Sequence, residues 1–277
     1  MRSGSVTARW KFSSALLWAI STFVGSFAIS LFVDDLAMSL RIWLDNRIGS
    51  PGLSILAYNS VHYLLFQLAV ILLLIGVTGG TRKTAGRALI LLFAITAGKL
   101  AGRSFSELSP TLSQAAFSIV VSTALSASTI VLSEDLLGDG EGRKSDPPYF
   151  LWTATFVAVT FWFAAFPLVD RFGNPDISNA TRIGMVLTLA ALGYLGTRGV
   201  KIRWTLLPLG TMTAYLTVAL LVSSLLADVL TGTRTLASLP PVELILYAAS
   251  RAPLAFYLSM IGVAGNFVRR LLASRPD

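Results

Sequence analysis

Residues 53–78 read LSILAYNSVHYLLFQLAVILLLIGVT, without an Asp, Glu, Lys or Arg. A helix needs about 20 mostly apolar residues to cross a hydrocarbon core. A surface helix of a soluble domain would instead show a polar face at every turn. Comparable stretches lie at 12–33, 88–107, 112–133, 149–170, 183–199, 204–228 and 242–265. Composition agrees, with 54% hydrophobic and 13% charged residues among 277 and a mean hydropathy of +0.71. Soluble domains carry about 25% charged residues. The sequence predicts an all-α, polytopic transmembrane bundle of about eight spans, forming a single integral membrane domain. The first stretch follows Arg2, Arg9 and Lys11 like a signal peptide, but its apolar run is longer than a signal core and reads as a retained helix.

Basic residues set the orientation. With the N-terminus inside, the cytoplasmic segments hold Arg2, Arg9, Lys11, Arg82, Lys83, Arg87, Arg143, Lys144, Arg198, Lys201, Arg203, Arg269, Arg270 and Arg275, which is 14 of the 22 Lys and Arg. The opposite side keeps Arg41, Arg47, Arg171, Arg182 and Arg234, with Arg103 at its edge. This alternation is the positive-inside bias. It predicts both termini in the cytoplasm, in a protein of the plasma membrane. The net charge of +8 then belongs to topology, and no nucleic-acid partner is expected. Trp10, Trp152 and Trp204 fall at expected inner boundaries and Trp43 at an outer one, where amphipathic rings are enriched.

Between the first two spans, Leu36, Leu40, Trp43, Leu44 and Ile48 share a helical face opposite Ser39, Arg41, Asp45 and Asn46. This predicts a short interfacial amphipathic helix on the outer surface. The hydrophilic segment 134–148 (EDLLGDGEGRKSDPP) divides the chain into four-helix halves, 12–133 and 149–265. Gly80-Thr81-Arg82 recurs as Gly196-Thr197-Arg198, but a third copy at Gly232-Thr233-Arg234 falls on the other side and weakens the case for a repeat.

One histidine and no cysteine exclude bis-histidine haem, HExxH zinc chemistry, disulfides and cysteine nucleophiles. No GxxxxGK[ST] loop, GxSxG elbow or EF-hand loop is present. Neither a metal nor a cofactor is expected. Asn179-Ala180-Thr181 is a glycosylation sequon on the expected outer side.

Ionisable groups inside a span cost about 2.5–3.5 kcal/mol on insertion scales, so they carry the functional signal. Arg251 lies about 13 Å past the outer start of its span. With Glu243 and Tyr247 it forms a stripe spaced by four, and Pro253 breaks the helix beside it. It either binds a ligand or pairs with an acid from a neighbouring helix. Lys99, Arg103 and Glu107 repeat every four on another span. They form a basic wall or snorkel to headgroups, while Gly98 and Gly102 predict a closely packed neighbour. Asn59, Tyr63 and Gln67 share a face beside His62, which either responds to protonation or is bonded between helices. Ser118, Ser122 and Ser126 make a small polar face suited to packing or to a water path.

Counting residues from the span ends places His62, Lys99 and Arg251 within about one turn in depth. If they face one space, an anion or a carboxylate such as Glu107 or Glu243 must separate them. The candidate substrate-binding residues are therefore Arg251, Lys99, Arg103, His62, Glu243, Glu107, Asn59 and Tyr247. They suggest a transporter, flippase or channel-like protein for an anionic solute or lipid headgroup, with an outward-opening polar pocket. Two other readings stand beside it. One is a non-catalytic subunit of a membrane assembly, with a membrane-protein partner or a second copy. The other is a membrane enzyme acting on a lipid phosphate, with His62 as base or nucleophile.

Overall fold

The computed structural model describes residues 4–78, 85–106, 111–137, 149–198, 202–232 and 239–273. Among them there are helices and turns but no strand. In order these are α1 (Gly4–Arg47), α2 (Pro51–Asn59), a π-helical turn (Ser60–Leu65), α3 (Phe66–Thr78), α4 (Ala85–Ser106), α5 (Leu112–Leu137), α6 (Tyr149–Asp170), α7 (Pro175–Gly196), α8 (Leu206–Thr231) and α9 (Pro241–Ala273). Six stretches are long and apolar enough to cross a membrane: Ala15–Arg47, Pro51–Thr78, Leu112–Leu136, Tyr149–Asp170, Leu206–Thr231 and Pro241–Ala273. The expected spans at 88–107 and 183–199 fall on α4 and α7, which are not among the six. Arg87, Lys99 and Arg103 dilute the first, and Asp176 and Arg182 stand early in the second. Glu107, the Gly-Thr-Arg triplet at 80–82 and linker residues 138–148 lie outside the described residues.

The separate amphipathic helix expected after the first span is absent, because α1 runs unbroken to Arg47. No Gly or Pro interrupts 26–48, and Gly49, at φ +68°, is the first residue to turn the chain. The buried side of this stretch is Val33, Ala37 and Leu44, while Leu36, Trp43 and Ile48 of the expected face are exposed.

The same device punctuates two connections. Gly49-Ser50-Pro51 and Gly173-Asn174-Pro175 each set a left-handed glycine before an N-cap and a proline at the first helical position. The glycine accepts the left-handed turn, the cap side chain accepts an orphan N–H, and the proline lacks only a hydrogen that would go unused. Ser50 accepts from Leu53 N and Asn174 from Asp176 N.

Hydrogen bonds identify the two ends of the bundle. At one, Ser50 and Gly52 meet Glu243, Arg171 meets the Thr231 carbonyl, and Asn179 meets Ser113. We refer to it as the Pro51 end. At the other, Asp135 of α5 accepts from Trp204 N at 2.7 Å and from Arg270 Nη2 at 2.9 Å, while Arg203 donates to the Asp135 carbonyl and Arg269 to that of Thr197. We refer to it as the Arg270 end. Glycines set the closest helix crossings. A Cβ on Gly98 or Gly102 of α4 would run into Phe23, Ser26, Phe27 and Ser30 of α1, so the close neighbour expected for the GxxxG pair is α1. Gly193 of α7 likewise meets Gly262 of α9 backbone to backbone.

α9 packs against α2, α5, α7 and α8. From Leu258 to Phe267 every residue is buried, as in a helix enclosed on all sides. Trp204 and Trp152, expected at the membrane boundary, are buried at 0% and 5% exposure, whereas Trp43 is 55% exposed. On α5, Ser126 donates to the Ser122 carbonyl and Thr129 to that of Leu125, while Ser128 reaches the carbonyl of Met260 on α9 and Ser122 lines a cavity.

Candidate functional site

The site begins with a polar stripe on α1. Thr22, Ser26, Ser30 and Asp34 are spaced by four; the first three are buried, Ser26 and Ser30 against Gly98 and Gly102 of α4. Gly98 and Gly102 have no side chains to hold the helices apart, so Ser30 Oγ reaches the Lys99 carbonyl at 3.4 Å. Lys99 then points into the bundle. It is 2% exposed, its Nζ has no hydrogen-bond partner, and it lies 4.9 Å from the centre of the Phe66 ring. The aromatic face attracts the ammonium, but it does not replace lost water as an acceptor.

Opposite stands the π-helical turn. Its closing bond runs from Phe66 N to the Val61 carbonyl, five residues back. The additional residue in this turn brings His62 to Asp34, with Nδ1 2.9 Å from Oδ1. This is ion-pair distance, although the N–H does not point straight at the oxygen. The imidazole is stacked on Tyr58 at 5.3 Å between ring centres and meets the edge of Tyr63 at 4.9 Å. Tyr63 in turn packs on Tyr257 of α9. Gln67 is fully buried. Its Oε1 accepts from Thr129 Oγ1 at 3.4 Å, while its Nε2 is left without a partner.

Asp34, His62, Gln67, Lys99, Arg103 and Tyr257 line a common cavity of about 30 Å3. A single water needs about 10–15 Å3, so there is room for a water or two, or for one monatomic ion. Donors dominate its walls: an ammonium, a guanidinium and a primary amide face a single carboxylate, which is already close to His62.

The candidates from the sequence divide. His62, Lys99 and Arg103 meet, whereas Arg251 and Tyr247 line a different space between α6, α8 and α9. The shared pocket expected for His62, Lys99 and Arg251 is therefore not formed. Asn59 shows why: its Nδ2 donates to the Ser250 carbonyl, which fixes Ser250 toward α2. Arg251, one residue on, points about 100° away. Glu243 is also committed elsewhere. It accepts from Ser50 Oγ at 2.6 Å and Gly52 N at 2.8 Å, fastening the start of α2 to the start of α9. Asn179 of the sequon is 6% exposed and donates to Ser113, which withdraws it from modification. Asp34 was missed in the sequence because it stands one residue past the assumed end of the first span. The stripe Thr22, Ser26, Ser30 and Asp34 was the signal that would have found it.

No family model, curated protein or solved structure matches this chain.

Proposed function

We propose that this chain is a multi-pass membrane transport protein, a transporter or channel-like, that handles a small anion at the cluster of Asp34, His62, Lys99 and Arg103. Six helices of spanning length and composition support membrane embedding. The reading rests chiefly on Lys99, which is 2% exposed, lines the cavity, and has an enclosed ammonium with no acceptor. A buried cation without a partner is several kcal/mol unfavourable on general grounds. A sequence that keeps one in a water-sized space gains most when an anion enters it. The 30 Å3 volume selects by size: a halide or hydroxide fits, and an organic anion or lipid headgroup requires the helices to part.

His62 and Asp34 supply the second element. Their side chains are 19% and 24% exposed, so they sit between the buried ammonium and the surface. A proton on this pair adds positive charge beside the anion and one removed lowers it, which couples protonation to anion occupancy. The topology that accompanies this reading has both termini in the cytoplasm of a plasma-membrane protein, following the basic-residue bias.

The test is chloride efflux from proteoliposomes containing the full chain, with the potential clamped by valinomycin and potassium. Efflux above protein-free vesicles, lost in Lys99→Met, supports the reading. Efflux equal to that of empty vesicles, or unchanged in Lys99→Met, contradicts it.

A further inference from the structure

His62, Phe66 and Gln67 all line the cavity beside Lys99. An unbroken α-helix, at about 100° per residue, would set Gln67 about 140° round from His62. The π-helical turn Ser60–Leu65 carries one residue more than an α turn and is closed by the Phe66 N–H on the Val61 carbonyl. With that residue absorbed, Gln67 stands about 40° to one side of His62 and Phe66 about 60° to the other. We propose that this turn is a register switch for the Lys99 cavity. Relaxed to α, it turns α3 by about 100° relative to α2, and Leu65 and Phe66 take the places of Phe66 and Gln67. The part it plays in anion handling rests on the function proposed above, while its geometry does not.

The two sides of the turn are held unequally. α2 is fastened to α9 by Glu243, which takes the Ser50 hydroxyl and the Gly52 amide, and by Asn59, which donates to the Ser250 carbonyl. α3 is tied to α5 by a longer bond, from Thr129 Oγ1 to Gln67 Oε1 at 3.4 Å. Beyond Gln67, residues 68–77 read LAVILLLIGV. A helix apolar on every side specifies its own rotation weakly. A shift of one residue puts Ala69, Val70, Leu73 and Val77 where Val70, Ile71, Leu74 and Thr78 are buried, and it buries no new polar group.

The exchange alters the chemistry of the wall. The Phe66 ring centre lies 4.9 Å from Lys99 Nζ, and Gln67 brings an amide to the cavity. In the α register aliphatic Leu65 replaces the ring that attracts the ammonium, and a ring replaces the amide. The wall then loses a polar group and the aromatic face over Lys99. The contact of His62 with Asp34, at 2.9 Å, is made by the turn itself and holds the π register. Losing that contact therefore favours the α register. Single π turns of this kind occur mostly at functional sites.

Thiol bridging in the full chain, which has no cysteine of its own, reads the register. Thr129→Cys paired with Gln67→Cys reports the π register, and Thr129→Cys paired with Phe66→Cys the α register. Under copper-phenanthroline oxidation the first pair should bridge readily and the second slowly. Asp34→Ala should speed the second by about two- to fivefold, the range open to a partly exposed ion pair. Deletion of Leu64 removes the additional residue, so a regular α-helix then sets Gln67 on Thr129. That variant should keep the first bridge and lose the second, and it decides alone if Asp34→Ala does not fold. A Phe66 bridge that survives the deletion, or one that Asp34→Ala leaves unchanged, overturns the proposal. Chloride efflux is read separately. Bridging as expected without efflux from the unmodified chain keeps the switch and removes the anion reading, and efflux with an unresponsive bridge does the opposite.

Discussion

His62 Nδ1 lies 2.9 Å from Asp34 Oδ1, tying the π-helical turn of the second apolar stretch to the polar stripe of α1. The contact brings the lone histidine to the same cavity as a buried, acceptor-free lysine.

Asp34→Asn should weaken the fold as well as transport. The contact is an ion pair without an aligned hydrogen bond and is partly exposed, so the expected loss is about 1 kcal/mol or less. Thermal unfolding in detergent measures it. An unchanged midpoint would mean that Asp34 and His62 are neighbours without energetic coupling.

Lys99→Met should move stability and function in opposite directions. Replacing an unpaired buried charge with an apolar chain of similar length is expected to stabilise by about 1–4 kcal/mol, while chloride efflux is lost. Such opposition marks a group retained for function rather than for folding. A destabilised Lys99→Met would instead make the lysine a structural member of the bundle.

Depth along a helix could be read by counting residues: His62 and Lys99, counted to a common depth, line one cavity, while Arg251, counted to the same depth, lines another. The direction each helix faces could not be counted. Arg251 turned away from His62 because Asn59 holds the Ser250 carbonyl. The stripe of Asn59, Tyr63 and Gln67 was also divided, since a π-helical turn lies between its ends. Asn59 and Tyr63 face α9, and Gln67 faces Thr129 of α5. The apolar stretches were legible because a membrane demands length and composition. The continuity of α1 was overlooked because its amphipathic pattern beyond residue 35 suggested an interface, although no residue there could break a helix. Gly98 and Gly102 announced a close neighbour, and only the packing showed it to be α1.

Gly98→Ala should destabilise by more than about 1 kcal/mol, because its Cβ would press on the Phe23 carbonyl and the Ser26 side chain. Gly86→Ala supplies the control. It is helical with nothing within 4 Å of the added carbon, so it should be neutral or stabilising by up to about 1 kcal/mol. Thermal midpoints of the pair in one detergent decide the matter, and equal effects would remove the argument for close α1–α4 packing.

Glu243→Gln and Ser50→Ala should each loosen the start of α2 from α9, since one carboxylate takes both the Ser50 hydroxyl and the Gly52 amide. Each change is expected to destabilise by about 1–2 kcal/mol. The double variant should fall short of their sum, because the two residues share a bond. Strict additivity in denaturant titrations would show that the clasp contributes nothing jointly.

Orientation is testable by single-cysteine labelling of a chain that has no native cysteine. Asn46→Cys and Phe172→Cys replace exposed residues at the Pro51 end and should react with an impermeant maleimide in intact cells. Thr84→Cys and Ser145→Cys should be protected until the cells are opened. The reverse pattern would invert the topology and put the Pro51 end in the cytoplasm.

The central claim is that the cavity beside Lys99 holds a small anion, and bromide is its most direct probe. Crystals of the full chain grown in bromide, measured at the bromine absorption edge, should show an anomalous peak within about 3.5 Å of Lys99 Nζ, at hydrogen-bonding range. The peak should vanish in Lys99→Met. A cavity without bromide, with Lys99 Nζ bonded instead to a carboxylate, would contradict the account.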